Sequence, residues 1–445
     1  MILLDSYCVK QVVLGEISMG KNYLQAIPIR TAYQKKLEQF TASLGNAIGK
    51  GEPIPFADND LTYTLNLQNE RINEKGIELD YEVFRRIKDD NQFFEVADWK
   101  DKHYATAVGF GVCGVKREVR KDGKTIYKDT LKNDFFGTVC DIVSGSHPDN
   151  ETHICPNCGA ETTIAELQSG CPYCGTEYKM DDLYPKITSF YFFDSLGITK
   201  KQLLTWWPVC AIVCAIAFYI LYPYLQKFMD LRVVQERGVI GEAIFGLMLG
   251  AVYGFFLFVF LHLLFKIART IVDLWRMGTA ASRNRFELRM KKLSPEFSFE
   301  YFKDKAITLI KMAVYAKDEN EIPSYKGEPL SDDYKDIIDL NYTGTFGLKS
   351  FSEENGVVTV ETKSYFDVLS IRNDKVKFTH PVIKAKFQRR TDIPVNLNFS
   401  MTRISCPTCG KSFNAMKNKF CPGCGNEYEL VSDDWVLVEL KTVAK

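Results

Sequence analysis

Two long uncharged stretches dominate the pattern of apolar and polar residues along the chain. Residues 202–226 and 243–265 contain no Asp, Glu, Lys or Arg. A helix of about 20 apolar residues is long enough to cross the hydrocarbon core of a bilayer. The pattern therefore predicts a transmembrane hairpin over residues 202–265, with spans at 203–225 and 240–265. A helix buried inside a soluble protein is the alternative, and two such stretches in succession disfavour it.

The charges around the hairpin predict its orientation. The loop between the spans is nearly neutral, whereas basic residues crowd both outer flanks: Lys200, Lys201, Lys266, Arg269, Arg276, Arg283, Arg285, Arg289, Lys291 and Lys292. The positive-inside rule then predicts an integral membrane protein with two spans and both termini in the cytoplasm. Residues 266–292 are expected to form a basic helical linker along anionic headgroups, so membrane lipids are an expected partner.

Small residues line one face of the second predicted span. Gly246, Gly250 and Gly254 recur at every fourth position, which allows another helix to approach closely. The neighbouring helix is either the first span of the same hairpin or the second span of another copy. The stripe thus predicts helix packing and leaves homo-oligomerisation open.

Residues 293–445 show the pattern of a helix packed on an antiparallel sheet. Ser294-Pro295 predicts a helix start, and apolar residues follow at helical spacing: Phe299, Phe302, Ala306, Leu309, Ile310 and Ala313. Alternating strands are predicted at residues 340–349, 357–371, 382–390, 395–404 and 435–440. A cysteine-rich segment at 404–430 interrupts this order before the last strand.

Residues 1–200 predict a second α+β domain. A helix is expected at 31–48, strands at 61–67 and 184–193, and a strand–turn–strand around Asp122-Gly123. Residues 81–94 resemble residues 286–299 in their order of charged and apolar side chains. The segments Cys174-Gly-Thr-Glu-Tyr178 and Cys424-Gly-Asn-Glu-Tyr428 are also alike. These similarities raise the hypothesis that the two flanks arose by duplication.

Eight of the thirteen cysteines form two sets of paired Cys-x-x-Cys motifs. The sets are Cys155, Cys158, Cys171 and Cys174, and Cys406, Cys409, Cys421 and Cys424. Four thiolates in two tight turns suit tetrahedral Zn²⁺, and four protein ligands leave no open position for catalysis. The sequence therefore predicts two structural Zn²⁺ ions in ribbons at 153–180 and 404–430, within a reducing compartment. The other cysteines are expected to pack as small apolar residues.

Two other motifs compete with this interpretation. Cys171-Pro-Tyr-Cys174 matches the glutaredoxin redox tetrapeptide, but a redox pair would stand alone at a helix start. Residues 109–114 fit the Gly-x-Gly-x-x-Gly pattern of dinucleotide sites, which requires a helix immediately afterwards. A strand–turn–strand pattern follows instead, so we do not expect a nucleotide site.

Composition narrows the class of function. The 56 basic and 56 acidic residues cancel, so no basic field indicates nucleic acid, and no nucleic-acid partner is expected. The ribbon residues Lys411, Lys417 and Lys419 offer only a sparse basic patch. The chain has five histidines and no nucleophile-elbow, Walker or HExxH motif, so we expect no enzyme. No cleaved secretion signal is expected from the N-terminal sequence.

The C-terminal flank resembles the Tim-forty-four-like domain family. The resemblance rests on residues 286–302, with Pro295-Glu-Phe-Ser-Phe-Glu-Tyr-Phe302, and on the strands that lead to Trp435-Val-Leu437. It implies a cone-shaped α+β fold of the cystatin or nuclear-transport-factor-two type, enclosing an apolar pocket. Bacterial relatives combine membrane spans with a zinc ribbon, which implies a bacterial cell membrane. The mitochondrial relative engages lipid and protein partners and lacks the zinc motifs.

The expected fold is therefore two α+β soluble domains, 1–200 and 293–445, flanking a two-helix transmembrane hairpin. The expected function is a non-catalytic, membrane-anchored binding or scaffold protein. Its zinc-stapled domains would bind a lipid, an apolar ligand or a protein partner. The alternatives are an accessory subunit of a transport or secretion complex and an enzyme of unrecognised class.

Overall fold

The computed structural model divides the chain into two compact units. One contains both flanks of the hairpin, and the other spans Leu196–Arg276. The structure describes residues 31–86, 93–101, 104–131, 133–142, 152–155, 158–167, 170–175, 185–194, 200–229, 239–276, 280–393 and 404–443. The predicted strand at 395–404 lies almost wholly outside these residues.

Helices and strands alternate in blocks. The helices are α1 (Thr31–Lys50), α2 (Asn59–Glu74), α3 (Ile164–Leu167), α4 (Lys200–Met229), α5 (Val239–Arg276), α6 (Ala280–Leu293), α7 (Phe299–Tyr315) and α8 (Asp332–Lys335). The strands before the hairpin are β1 (Glu78–Arg85), β2 (Phe93–Lys100), β3 (Tyr104–Gly111), β4 (Cys113–Lys121), β5 (Lys124–Leu131), β6 (Asn133–Ile142), β7 (Thr152–Ile154), β8 (Glu161–Thr163) and β9 (Lys186–Asp194). The strands after it are β10 (Ile337–Glu354), β11 (Val357–Arg372), β12 (Lys375–Thr379), β13 (Val382–Arg390), β14 (Ile404–Ser405), β15 (Ser412–Phe413) and β16 (Val436–Val443).

The two flanks repeat one antiparallel strand order. In the first, β2, β3, β6 and β9 are neighbours, and β1, β4 and β5 form a second sheet. In the second, β10, β11, β13 and β16 are neighbours, and β12 pairs with β11. One residue separates β3 from β4 and β5 from β6. The β3–β4 segment therefore corresponds to the long strand β11, and β5–β6 corresponds to β12 and β13.

Three further landmarks recur in both halves. A segment before the first strand forms a parallel bridge to the last strand, Ala57 to Ile187 and Tyr325 to Leu437. The hairpin turns at residues 122–123 and 373–374 both have positive φ angles. Each half inserts a cysteine ribbon before its last strand. This repeated topology is what the duplication hypothesis predicts. It does not equate residues 81–94 with 286–299, because Tyr81 lies in β1 and Phe286 in α6.

Each half packs a helix on its sheet. In the first half the apolar face of α1 is buried, and Phe40 contacts Phe190 at 5.6 Å between ring centroids. In the second half, Phe302 of α7 packs on Trp435 at 4.5 Å. The helix predicted at 31–48 and the apolar face predicted for α7 are confirmed.

Two local predictions are wrong. The helix start predicted at Ser294-Pro295 is displaced, because Ser298 is the N-cap of α7 and accepts the Tyr301 N–H. Residues 61–67 are helical, not a strand. Their local alternation imitates a strand, but Leu61, Leu65 and Ile72 bury one face of α2. The Asp58 carboxylate also caps this helix, accepting the Leu61 N–H at 2.7 Å.

The two flanks share one interior, whereas the sequence pattern predicts separate domains at 1–200 and 293–445. Arg117 of β4 is fully buried and donates two hydrogen bonds to Asp129 and one to Asp339 of β10, at 2.9 Å. Gln68 of α2 donates to the other oxygen of Asp339. A buried charge needs its partners because water is excluded. Neither half satisfies these groups alone.

A second buried junction lies between α2 and α7. Lys305 of α7 is ion-paired with Asp60 of α2 at 2.5 Å and with Asp434 at 2.7 Å. Asp304 accepts a hydrogen bond from Thr188 of β9 at 2.8 Å. The ionic core therefore joins α7 to the first half and to the segment that leaves the second ribbon.

The other unit consists of α4 and α5, which pack against each other. Both predicted spans lie within these helices, and both helices are long and apolar enough to cross a membrane. The indole N–H of Trp207 donates to the Ala251 carbonyl at 3.1 Å. The predicted basic linker 266–292 is helical in two pieces, the end of α5 and all of α6.

Removing Asp339 should destabilise the flank unit strongly. Asp339→Ala leaves buried Arg117 with one carboxylate, so we expect a loss of about 3–5 kcal/mol in the free energy of unfolding. Denaturant titration of the detergent-solubilised chain measures it. Lys116→Ala, which removes an exposed ion pair with Glu82, is the control and should change little. Equal effects of the two variants would contradict the shared ionic core.

Lys311 should make stability depend on alkaline pH. Burial lowers the pKa of Lys311 to about 8, and its ammonium lies 4.8 Å from the centre of the Phe190 ring. The unfolded pKa is about 10.4, so the free energy of unfolding should rise between about pH 8 and 10.4 and lack this contribution below pH 8. Lys311→Met should stabilise the protein at pH 7 by about 1–3 kcal/mol. Denaturation of both proteins across this range measures it, and an unchanged pH profile in the variant would refute the assignment.

Candidate metal centres

The second ribbon brings four cysteine sulfurs together from two tight turns. Cys406 and Cys409 come from the turn after β14, and Cys421 and Cys424 from a turn after β15. The sulfurs of Cys406 and Cys424 are 3.6 Å apart, as are those of Cys409 and Cys421. All four lie within 4.8 Å of one another, which is the spacing of ligands around one tetrahedral ion.

The first ribbon repeats this geometry. Its sulfurs face each other at 3.7 Å for Cys155 and Cys174 and at 3.8 Å for Cys158 and Cys171. Again all four lie within 4.8 Å. The structure therefore brings together all eight predicted ligands, in the two predicted groups.

A glycine closes each of the four turns. The amides of Gly159, Gly175, Gly410 and Gly425 each donate to the carbonyl of the cysteine four residues earlier, at 2.8 Å. Their φ angles lie between 66° and 76°, a region that glycine enters without steric cost. The Cys-Pro-x-Cys-Gly pattern is thus a backbone requirement of the turn that presents both sulfurs to one point.

Backbone amides favour thiolates at some positions of the second ribbon. Hydrogen bonds from the Cys409 and Thr408 amides lower the pKa of Cys406 to about 6. The Asn426 amide also favours a thiolate at Cys424, but burial and the other sulfurs together raise the pKa of Cys424 to about 11. Four adjacent sulfurs cannot all carry charge without a cation. A divalent ion would supply the missing positive charge.

The donor set fits a soft, tetrahedral metal ion. Four sulfur ligands suit Zn²⁺ and occupy every position of its coordination sphere. Such an ion would hold the two turns of each ribbon together. Cys171 and Cys174 lie in a turn at residues 170–175 and belong to a group of four sulfurs, so the geometry disfavours the redox-pair alternative, in which the pair stands alone.

The competing dinucleotide motif and the cysteines outside the two clusters form no site among the described residues. Residues 109–114 lie in β3 and β4 with no helix after them, so the dinucleotide geometry is not formed. Cys113, Cys140 and Cys210 are buried and Cys214 is half-buried, in keeping with a packing role. Cys8 lies outside the described residues.

Two glycines of the predicted stripe pack on α4. A Cβ on Gly250 would lie 2.7 Å from the Ala215 Cβ, and one on Gly254 would lie 2.4 Å from the Ala211 Cα. A Cβ on Gly246 would meet no described heavy atom within 4 Å. The stripe thus serves contact within the hairpin at two of its three positions.

Sequence analysis missed how Gly423 and Lys411 fit together. A Cβ on Gly423 would lie 2.8 Å from Cδ of Lys411 and 3.3 Å from the Cys409 sulfur. The lysine side chain therefore crosses the second turn beside a ligand atom. The only sequence signal is glycine at the variable position of Cys421-Pro-Gly-Cys424.

Comparison of the chain with protein-family models, with curated protein sequences and with solved structures gives no significant match. The interpretation of the site therefore depends on its own geometry.

Loss of one ligand should remove one metal ion. Cys409→Ser should abolish metal binding at the second ribbon and loosen β16, because the ribbon is inserted directly before that strand. Elemental analysis should fall from two zinc ions to one, and limited proteolysis should begin near residues 404–430. Cys214→Ser, outside both clusters, should retain both ions. Full metal content and unchanged protease resistance in Cys409→Ser would contradict the assignment.

Proposed function

We propose that this chain is a non-catalytic, membrane-anchored binding or scaffold protein, stapled by two structural Zn²⁺ ions. Four sulfurs at each site leave no open coordination position, so neither metal would bind a substrate or activate water. The apolar helices α4 and α5 provide the anchor.

One observation carries the topology. Residues before and after the hairpin share buried ion pairs, such as Arg117 with Asp339 and Asp60 with Lys305. Groups on opposite sides of a bilayer cannot form such contacts. The chain must therefore return to its starting side, and two spans do this. A single span would not.

The lipid-facing surface of the hairpin fits this anchor. Many large apolar side chains of α4 and α5 are exposed, including Leu204, Tyr219, Leu247, Phe256 and Phe265. Soluble proteins rarely expose a continuous apolar surface of this kind. Lipid acyl chains would cover it.

The basic flanks favour the cytoplasmic face of a bacterial cell membrane as the location of the soluble unit. Lys200 and Lys201 precede the first span, and basic residues follow the second. The cytoplasm is reducing, so the eight ligand cysteines would stay available to metal. Both termini would then be cytoplasmic.

The soluble unit would act through surface contacts with a protein partner or another copy of the chain. The Tim-forty-four-like cone remains our proposal for the second half, where α7 lies against a five-stranded sheet. Aromatic rings occupy the space between them, with Phe302 against Trp435 and Phe387. This filling favours a protein partner over an apolar ligand inside the cone. An accessory role in a transport or secretion complex would use the same surface.

Labelling in intact bacteria tests the topology. A cysteine introduced in the loop between the spans, as Glu236→Cys, should react with a membrane-impermeant maleimide from outside. Cysteines introduced at exposed sites in both flanks, Lys124→Cys and Lys375→Cys, should react only after lysis. Labelling of either flank in intact cells, or of the loop only after lysis, would contradict the proposal. Crosslinking in the same membranes would identify the partner.

A further inference from the structure

The two cysteine ribbons are alike in geometry but opposite in charge. Between Cys155 and Cys174 the only charged residues are Glu161 and Glu166. Between Cys406 and Cys424 they are Lys411, Lys417 and Lys419. A zinc ion with four thiolates carries a net charge of −2, so the first ribbon adds negative charge to an anionic centre. The second adds positive charge, although Lys419 is also ion-paired with Glu427 at 3.8 Å.

One structurally equivalent position differs in charge between the two ribbons. The amide of Cys155 donates to the Ala160 carbonyl at 2.8 Å, and the amide of Cys406 donates to the Lys411 carbonyl at 3.0 Å. Residues 160 and 411 are therefore equivalent. At the second site the lysine stem packs beside Gly423, and the Cys409 sulfur lies 3.3 Å from where a Cβ on Gly423 would be. At the first site the equivalent side chain is a methyl group.

Packing separates the ribbons in the same direction. The second ribbon is anchored in the main core, where Met416, Leu430 and Trp435 are buried together with the aromatic residues of α7. Lys419 also donates to the Asn320 carbonyl. Among the described residues of the first ribbon, Ile154 and Tyr173 are 65% and 73% exposed.

We propose that the two metal sites have different roles, the second being a permanent staple and the first a reactive, exchangeable site that releases its metal when its thiolates meet an electrophile. This inference rests on the proposed pair of zinc sites. A more negative tetrathiolate is a better nucleophile, because less of its charge is neutralised by its surroundings. The positive charge of Lys411 would lower the nucleophilicity of the thiolates at the second site.

The reaction with N-ethylmaleimide probes this difference. A zinc-bound thiolate adds to the maleimide double bond, the neighbouring carbon takes a proton from water, and the Zn–S bond breaks. Loss of successive ligands releases Zn²⁺, which a chromogenic chelator detects. Peptide mass spectrometry identifies the alkylated cysteines at each time.

The full zinc-loaded chain in detergent should release its metal in two phases of equal amplitude, with one zinc ion in each. The fast phase should coincide with alkylation at Cys155, Cys158, Cys171 and Cys174, and the slow phase should be at least about five-fold slower, given the opposite local charges. Ala160→Lys should slow the fast phase, and Lys411→Ala should accelerate the slow one. Lys411→Arg keeps the charge and should behave as the parent. Glu161→Gln, at an exposed position, should also slow the fast phase. It provides an independent test if Ala160→Lys does not fold.

The possible outcomes test the paired zinc sites and the division of their roles separately. Fewer than two zinc ions in the untreated protein would refute the paired zinc sites. Two ions with a single release phase, with equal alkylation of both ribbons, would overturn the division of roles alone. So would earlier alkylation of the second ribbon, or a fast phase that neither Ala160→Lys nor Glu161→Gln alters.

Discussion

The buried pairing of Arg117 with Asp339 is the constraint on which the rest of the structure depends. Arg117 is fully buried, and its partners come from β5 in one half and β10 in the other. A guanidinium without its carboxylates would be too costly in the interior, so the halves cannot separate without losing much of their stability. The chain on both sides of the hairpin is therefore one folding unit. The α4–α5 hairpin is an insertion within it in the sequence.

The repeated topology explains how such a unit can accommodate the hairpin. Each half supplies a helix on an antiparallel sheet and a ribbon before the last strand, and α4 follows β9 in the chain. The hairpin thus occupies the connection between two repeats, where no strand pairing is interrupted. The first repeat ends with its sheet complete, and the second begins again with α6 and α7.

Sequence patterns predicted the features that depend on local order. The cysteine spacing identified both candidate metal sites because each turn is a short backbone motif. Asp122-Gly123 located the turn between β4 and β5, and the uncharged stretches located α4 and α5. The helix α2 was missed because the seven alternating residues 61–67 resemble a strand. The union of the flanks was missed because its partners, such as Gln68 and Asp339, lie 271 positions apart. Arg117 did leave a signal, since it shares the inward face of β4 with Val115 and Val119.

Because the flank unit consists of two separated chain segments, the order of synthesis determines when its core can form. The first 195 residues emerge from the ribosome before Asp339 and Lys305 are synthesised, so Arg117 has Asp129 without Asp339, and Asp60 lacks Lys305. The core shared by the two halves can therefore form only after the hairpin and the second half have been synthesised. A polypeptide truncated after the hairpin would expose the surface that α7 and β10 cover in the complete chain.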